Sequence, residues 1–236
     1  MRLEGKAYLV TGSSTGIGKA TTQNLLREGA RVVGVARREV EVTKDENYVH
    51  IRFDLSHVEK IPELIEKVWN LEPDICGVID CAGAGVFGSI EEFSLVQIQR
   101  YLEFNLIYHA ILARYILPRF KKAGCGDWLW VGSESALRAG KFGSLYSAAK
   151  FGVRGMLQSL RAECAGSGIR IMMVHPGMVR TPFFDDLRFE PGPSEEHALE
   201  ADDVADSLLT MLTQNSRVWT DELMLNARHH VVKKSK

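Results

Sequence analysis

Thr11-Gly12-Ser13-Ser14-Thr15-Gly16-Ile17-Gly18 decides the fold, because it joins an apolar run, Ala7 to Val10, to an amphipathic stretch that Gly29 closes. A strand, a glycine-rich turn and a helix in that order use glycine for two reasons. A tight turn demands backbone angles that a Cβ resists, and a Cβ would keep a ligand away from the helix N-terminus. The unpaired N–H groups and the positive dipole end there suit a pyrophosphate. A glycine-rich turn alone is weak evidence, and a plain structural turn is the competing reading. Its position after a strand and before a helix weighs more than its letters.

Outward from the turn, short apolar runs alternate with longer amphipathic stretches. Strands are expected at Ala7 to Val10, Arg31 to Ala36, Val49 to Phe53, Ile75 to Asp80, Asp127 to Val131, Ile169 to His175 and Glu222 to Leu225. The alternation predicts an α/β, doubly wound (Rossmann-type), mostly parallel seven-stranded sheet with helices on both faces. A chain of 236 residues with 45% apolar composition fits one domain spanning residues 1–236. Val58, Ile61, Leu64, Ile65 and Val68 recur at helical spacing as one buried stripe, with Asp54 and Ser56 as starting caps. Val96 through Ile116 sustain a long helix, placed at Phe93 to Phe120, that Pro118 and Gly124 bring to a close. Asp185 to Glu200, rich in Pro, Gly and acids, reads as a lid or surface loop.

Lysine plus arginine total 29 against 30 acids, a balance that offers no footprint for nucleic acid or an anionic membrane. Cys76, Cys81, Cys125 and Cys164 include no C-x-x-C pair and no histidine at ligand spacing, so reduced thiols are expected, with no metal centre and no disulfide framework. No apolar stretch approaches the ~20 residues of a membrane span. A cytoplasmic protein is expected, with Lys233-Lys234-Ser235-Lys236 as a solvated tail.

At the end of the second strand the chain reads Gly34-Val35-Ala36-Arg37-Arg38. An acid there would accept from the ribose hydroxyls of NAD, whereas guanidinium groups pair with the extra phosphate of NADP. With Ala36 in the acid's place and Arg37 and Arg38 following, NADP(H) is favoured over NAD(H). A solvated basic pair is the plainer reading.

Tyr146 and Lys150 lie four residues apart in Y-S-A-A-K, on one face of a helix. A phenol with an ordinary pKa near ~10 exchanges protons poorly at neutral pH. A positive charge at about 4 Å, in an effective dielectric of ~20, is worth roughly 4 kcal/mol, or roughly three pKa units. Lys150, helped by the positive nicotinamide ring when oxidised, is therefore expected to acidify Tyr146. Ser133 lies thirteen residues before the tyrosine, in W-V-G-S-E-S after a strand.

Taken together, these features resemble the short-chain dehydrogenase/reductase family from Gly5 to about Asn226. The likeness rests on the glycine turn, the aspartate after the third strand, a helix asparagine, the serine, Y-x-x-x-K and a P-G segment, in that order. The resemblance implies that Ser133 holds the substrate oxygen, Tyr146 transfers the proton and Lys150 bonds the nicotinamide ribose. Asn105 in F-N-L would position a water linking Lys150 to solvent; a bridge between backbone groups at a kink is its plainer role. The cofactor would also touch Gly12, Ser14, Thr15, Gly16, Ile17 and Gly18, and Asp54 and Leu55 at adenine. Pro176, Gly177, Val179 and Thr181 would bracket the carboxamide. Where the family has N-N-A-G this chain has Asp80-Cys81-Ala82-Gly83, which keeps the small Ala-Gly pair and puts the asparagine hydrogen bonds in doubt. Cys81 is expected to be an inert packing thiol.

The implied activity is hydride transfer between NADP(H) and a ketone, aldehyde or secondary alcohol, 3-oxoacyl and 3-hydroxy acid substrates included. A non-catalytic NADP-binding sensor would have no need of Ser133, Tyr146 and Lys150 together, and an epimerase or dehydratase would carry a substrate domain after the sheet. Ser135 and Met178 join Ser133 and Tyr146 as substrate contacts, and Leu137, Phe142, Phe183 and Phe184 complete an apolar pocket or pack a loop. Acids at Asp185, Asp186, Glu190, Glu195 and Glu196 disfavour an anionic carrier protein. The long helix and a second at Tyr146 to Ala165 would pair across a two-fold axis in a homodimer or homotetramer.

Overall fold

The computed structural model describes residues 2–38, 45–215 and 217–234. In chain order it contains β1 (Ala7–Thr11), α1 (Gly16–Arg27), β2 (Arg31–Ala36), β3 (Tyr48–Arg52), α2 (Ile61–Leu71), β4 (Ile75–Asp80) and α3 (Leu95–Leu102). There follow α4 (Tyr108–Ala123), β5 (Gly126–Val131), α5 (Ser144–Glu163), β6 (Ile169–Pro176), β7 (Val179–Arg180), β8 (Phe189–Pro191) and β9 (Leu199–Glu200). The last are α6 (Ala201–Leu212), β10 (Glu222–Leu225) and β11 (Val232–Lys234).

Seven strands form one parallel sheet in the order β10-β6-β5-β4-β1-β2-β3. Side chains alternate across it: Ala7 and Leu9 of β1 enter a core with α2, α4 and α5, while Tyr8 and Val10 enter a second core with α1 and α6. Helices therefore cover both faces. The expected stripe supplies part of the first core, where Ile61, Leu64, Ile65 and Val68 are all buried, each worth roughly 1.5–3 kcal/mol. Strand order reverses between β1 and β4, which opens a crevice beyond their carboxyl ends. Thr11 stands opposite both Val35 and Asp80, and Asp80 opposite Trp130, so the strand ends that wall the crevice lie level.

The seven expected strands are present to within about a residue at each end, and the helices depart more. Asp54 and Ser56 do not cap α2; the Asp54 carboxylate accepts from the Ser56 N–H at 3.0 Å, and a 3-10 turn at Val58–Lys60 leads into Ile61 with Pro62 in the first turn. The long helix is two, separated by a π turn at Glu103–Ile107. Pro118 lies inside α4 and does not end it, because buried Leu117 and Phe120 hold the last turns on the sheet; Gly124, left-handed at φ 69°, does end it. The second helix of the expected pair runs Ser144–Glu163.

Residues 185–200 are more ordered than a loop. β9 pairs with β7, and β8 pairs antiparallel with β11, Glu190 facing Lys233 across an ion pair of 2.7 Å. Lys233 and Lys234 of the expected solvated tail are thus in a strand, and Ser235 and Lys236 lie outside the described residues. Among the described residues no helix is long and apolar enough to cross a membrane.

Candidate functional site

The glycine turn is built for close approach. Gly12 adopts φ 66°, and a Cβ there would come within 3.0 Å of the Ala82 backbone; a Cβ on Gly18 would lie 2.3 Å from the Gly12 carbonyl oxygen. The N-cap Thr15 makes no side-chain capping bond and the first turn of α1 carries no acid, so no cap competes for its N–H groups. That is the condition under which a helix N-terminus takes a phosphate. Half-buried Ser14 and Thr15 complete the turn. At Gly16 a Cβ would meet Thr181 at 3.0 Å, so the turn abuts the segment after β6. These positions fit a dinucleotide.

Ser133 follows β5, and Tyr146 and Lys150 lie one turn apart at the start of α5. All three are buried and line one cavity of about 100 Å³, together with Ile17, Cys81, Gly83, Pro176, Gly177, Val179 and Thr181. Lys150 Nζ donates to the Val131 carbonyl at 3.2 Å and stands 5.9 Å from the centre of the Tyr146 ring. Ser133 Oγ accepts from the Ser135 N–H at 3.1 Å. The two residues four apart therefore do face one cleft.

The expected acidification of Tyr146 is not what the protein's own groups produce. Burial pushes the phenol up to about 12; a hydrogen bond with Ser133 works downward and the Glu134 carboxylate upward. Burial likewise pushes Lys150 down to about 8, against the pull of the Asp80 carboxylate.

Asn105 is buried at the middle of the π turn. Its Oδ1 accepts from the Ala84 N–H at 2.9 Å and its Nδ2 donates to the Tyr101 carbonyl at 3.0 Å, so the amide bridges backbone groups. It also borders the site: a Cβ on Gly83 would lie 3.6 Å from Asn105 Oδ1 and 3.7 Å from Lys150 Nζ. The two side chains converge beneath Gly83.

Asp80 answers the missing asparagine. Its carboxylate accepts from the Thr11 and Tyr108 hydroxyls and from His109 Nδ1 at 2.8 Å. Thr11 Oγ1 in turn accepts from the N–H groups of Cys81 and Ala82, each at 3.1 Å, and so fixes the strand end. Burial works against ionisation of Asp80, but His109, Thr11 and Tyr108 hold its carboxyl below the usual range. Sequence reasoning missed the Thr11, Tyr108 and His109 partners, which nothing in their spacing links to Asp80. Burial pushes the Cys81 thiol well up, in keeping with an inert role.

Arg37, Asp54 and Asn105 line a second cavity of about 340 Å³; burial pushes the Asp54 carboxyl up, but hydrogen bonds from Ser56 first, and then the Arg37 charge, bring it below its usual range. Arg38 is exposed. Leu55 is buried among core side chains. Of the expected substrate contacts, Ser135 is half-buried and Met178 buried. Phe183 and Phe184 reach the Tyr146 cavity, whereas Phe142 is exposed with φ 62°. Two rings beside the site, Phe87 and Phe189, went unread: Phe87 lies 5.1 Å from the Tyr146 ring and 4.9 Å from Phe189.

Known proteins agree with this picture. Residues 6–191 match the family model described as short chain dehydrogenase. The chain is 31% identical over 220 residues to 1-deoxy-11-beta-hydroxypentalenate dehydrogenase of Streptomyces exfoliatus, covering 87% of this chain and 78% of that one. Among solved structures, an alcohol dehydrogenase of Thermococcus sibiricus complexed with 5-hydroxy-NADP superposes with a TM-score of 0.81 at 27% identity, over 94% of this chain and 96% of that one. The 3-ketoacyl-(acyl-carrier-protein) reductase of Brucella melitensis complexed with NADH shares the fold, with a TM-score of 0.83 at 23% identity over 96% and 99%. The matched segment runs from β1 through the glycine turn and the Tyr146–Lys150 helix to β8, and on that extent the chain belongs to the short-chain dehydrogenase/reductase family of oxidoreductases.

Proposed function

We propose that this chain reduces a ketone or aldehyde with NADPH. The carrying observation is that Ser133, Tyr146 and Lys150 share one buried cavity at the carboxyl ends of the sheet, beside the glycine turn. In this reading Gly12 to Gly18 hold the pyrophosphate, Arg37 and Arg38 the 2′-phosphate, and Asp54 and Leu55 the adenine. Pro176, Gly177, Val179 and Thr181 hold the carboxamide, with Cys81, Ala82 and Gly83 forming the floor. NADPH, when bound, supplies the hydride. The residues do the rest: Ser133 donates a hydrogen bond to the substrate oxygen, Tyr146 gives its phenolic proton to that oxygen, and Lys150 holds the ribose and supports the charge. Asn105, converging with Lys150 under Gly83, is the outlet for proton replacement. A phenol near 12 is protonated at neutral pH, the form that gives a proton to the substrate oxygen in reduction.

The cofactor preference rests on Arg37 at the Asp54 cavity and on Ala36 where a carboxylate would stand. It is tested by titrating protein with NADPH and NADH and following fluorescence transfer. NADPH is expected to bind at least tenfold tighter, and Arg37→Ala to erase most of that margin; equal affinities would overturn it. The function as such is tested by NADPH consumption with a set of carbonyl compounds. We place the protein in the cytoplasm as one domain that works as a homodimer or homotetramer.

A further inference from the structure

Phe183 and Phe184 line the Tyr146 cavity, and two further rings, Phe87 and Phe189, pack beside it. Phe87 packs on the Tyr146 ring with centres 5.1 Å apart, and Phe189 meets Phe87 edge-on at 4.9 Å. Phe184 meets Phe189 at 5.8 Å and Phe183 at 5.1 Å, and Phe183 returns to Tyr146 at 6.0 Å. The five rings, the phenol among them, close a circuit in which the three contacts between phenylalanines are edge-to-face and the two to Tyr146 are tilted. Aromatic contacts of this kind are worth about 0.5–1.5 kcal/mol each beyond area burial, and a substrate ring set against them makes the same kind of contact. An extended acyl chain would make fewer, and would lose rotamer freedom on being held.

Charge excludes another class. Glu134, which works the phenol upward, is a carboxylate 3.8 Å from the Cβ position of Gly177, with His230 Nε2 3.5 Å from its Oε1. It repels an anionic substrate group, and the phenylalanines offer no donor to pair one. The wall is also held in place. Phe189 opens β8, which is zipped to β11 with Phe189 opposite Lys234, and the next turn is tied by the Gly192 N–H to the Val231 carbonyl at 2.8 Å. A ring fixed before the substrate arrives discriminates shape without an ordering cost.

We infer that the substrate is a neutral ketone bearing an aromatic or alicyclic ring next to the carbonyl, recognised by the circuit of rings that Phe87, Phe183, Phe184 and Phe189 form with Tyr146. This rests on the reductase reading and deepens it. The test compares an aryl methyl ketone, a cycloalkyl methyl ketone, a linear methyl ketone of equal carbon number, a 2-oxo acid and a 3-oxoacyl thioester, all with NADPH. The ring ketones are expected to exceed the others at least tenfold in kcat/KM, and Phe189→Leu, which keeps apolar volume without a ring, to bring that ratio down at least threefold. Independently of turnover, calorimetry in the presence of NADPH should show an aryl amide binding at least threefold tighter than a linear amide of the same size. Equal or better turnover of the linear, anionic or thioester members, an unchanged ratio in Phe189→Leu, or equal amide affinities would overturn the inference and leave the reductase standing. No NADPH consumption with any carbonyl would overturn both.

Discussion

In the proposed reductase Tyr146 and Lys150 carry the chemistry, and burial moves both toward their neutral forms, the phenol up to about 12 and the ammonium down to about 8. Reduction tolerates this, since a nascent alkoxide is far more basic than a phenolate even at that value. Reduction kcat is therefore expected to stay level from pH 6 to 8, while alcohol oxidation, which needs the phenolate, should climb steadily with pH. Rate profiles in the two directions check this, and a reduction rate that needs a group to lose its proton near pH 7 would contradict it. Lys150 makes a second prediction. Its folded value lies below the ordinary 10.5, so the unfolded chain binds the proton more tightly and stability rises with pH from about 8 to 10.5; below 8 the burial cost is present in full. Lys150→Met is expected to abolish turnover yet to raise folding stability at pH 7 by on the order of 1–3 kcal/mol, with the gain fading above pH 8. Urea unfolding at pH 7 and 10 measures it, and destabilisation at pH 7 would refute the buried-charge argument.

Glu222 on the edge strand β10 links three elements. Its carboxylate accepts from Arg154 at 2.8 Å, Gln158 at 3.3 Å and Arg161 at 3.2 Å, all on α5, and pairs at 3.1 Å with His175 of β6. Burial alone would raise its pKa, but these partners hold it down to about 2. Because the folded value is depressed, the stabilisation is present above the ordinary 4.5 and is lost as pH falls toward 2. Glu222→Gln should lower the melting temperature at pH 7 by a few degrees and leave the variant less sensitive to acid between pH 4.5 and 2; parallel melting curves for both proteins across that range would show that the clasp does not carry charge. Elements differ in how far sequence reveals them. β1, β2 and β4 are apolar runs whose neighbours are turn residues, so their ends could be read to within a residue. The π turn was hidden because one extra residue barely disturbs an apolar stripe as long as Val96 to Ile116. β7, β8, β9 and β11, of two or three residues each, are too short for any period and exist through partners far away in the chain.

For the molecule as a whole, the doubly wound sheet followed from element order, and the choice of Ser133, Tyr146 and Lys150 from their joint spacing. What contact alone decides was not legible: the Asp80 network, the fall of Phe87 and Phe189 beside Tyr146, and the burial that raises the phenol. Leu95 is 80% exposed, Val96 52% and Phe151 42%, an apolar face on α3 and α5 that suits a second copy of the chain. Light scattering is expected to give at least twice the 26.4 kDa chain mass, and a monomer at working concentration would contradict the assembly. Most direct of all is the Tyr146→Phe variant, which removes one hydroxyl and keeps the ring in its circuit. Steady-state turnover should fall at least a thousandfold while the NADPH dissociation constant moves by less than about threefold; carbonyl reduction within tenfold of the unaltered protein would mean that the proton comes from elsewhere.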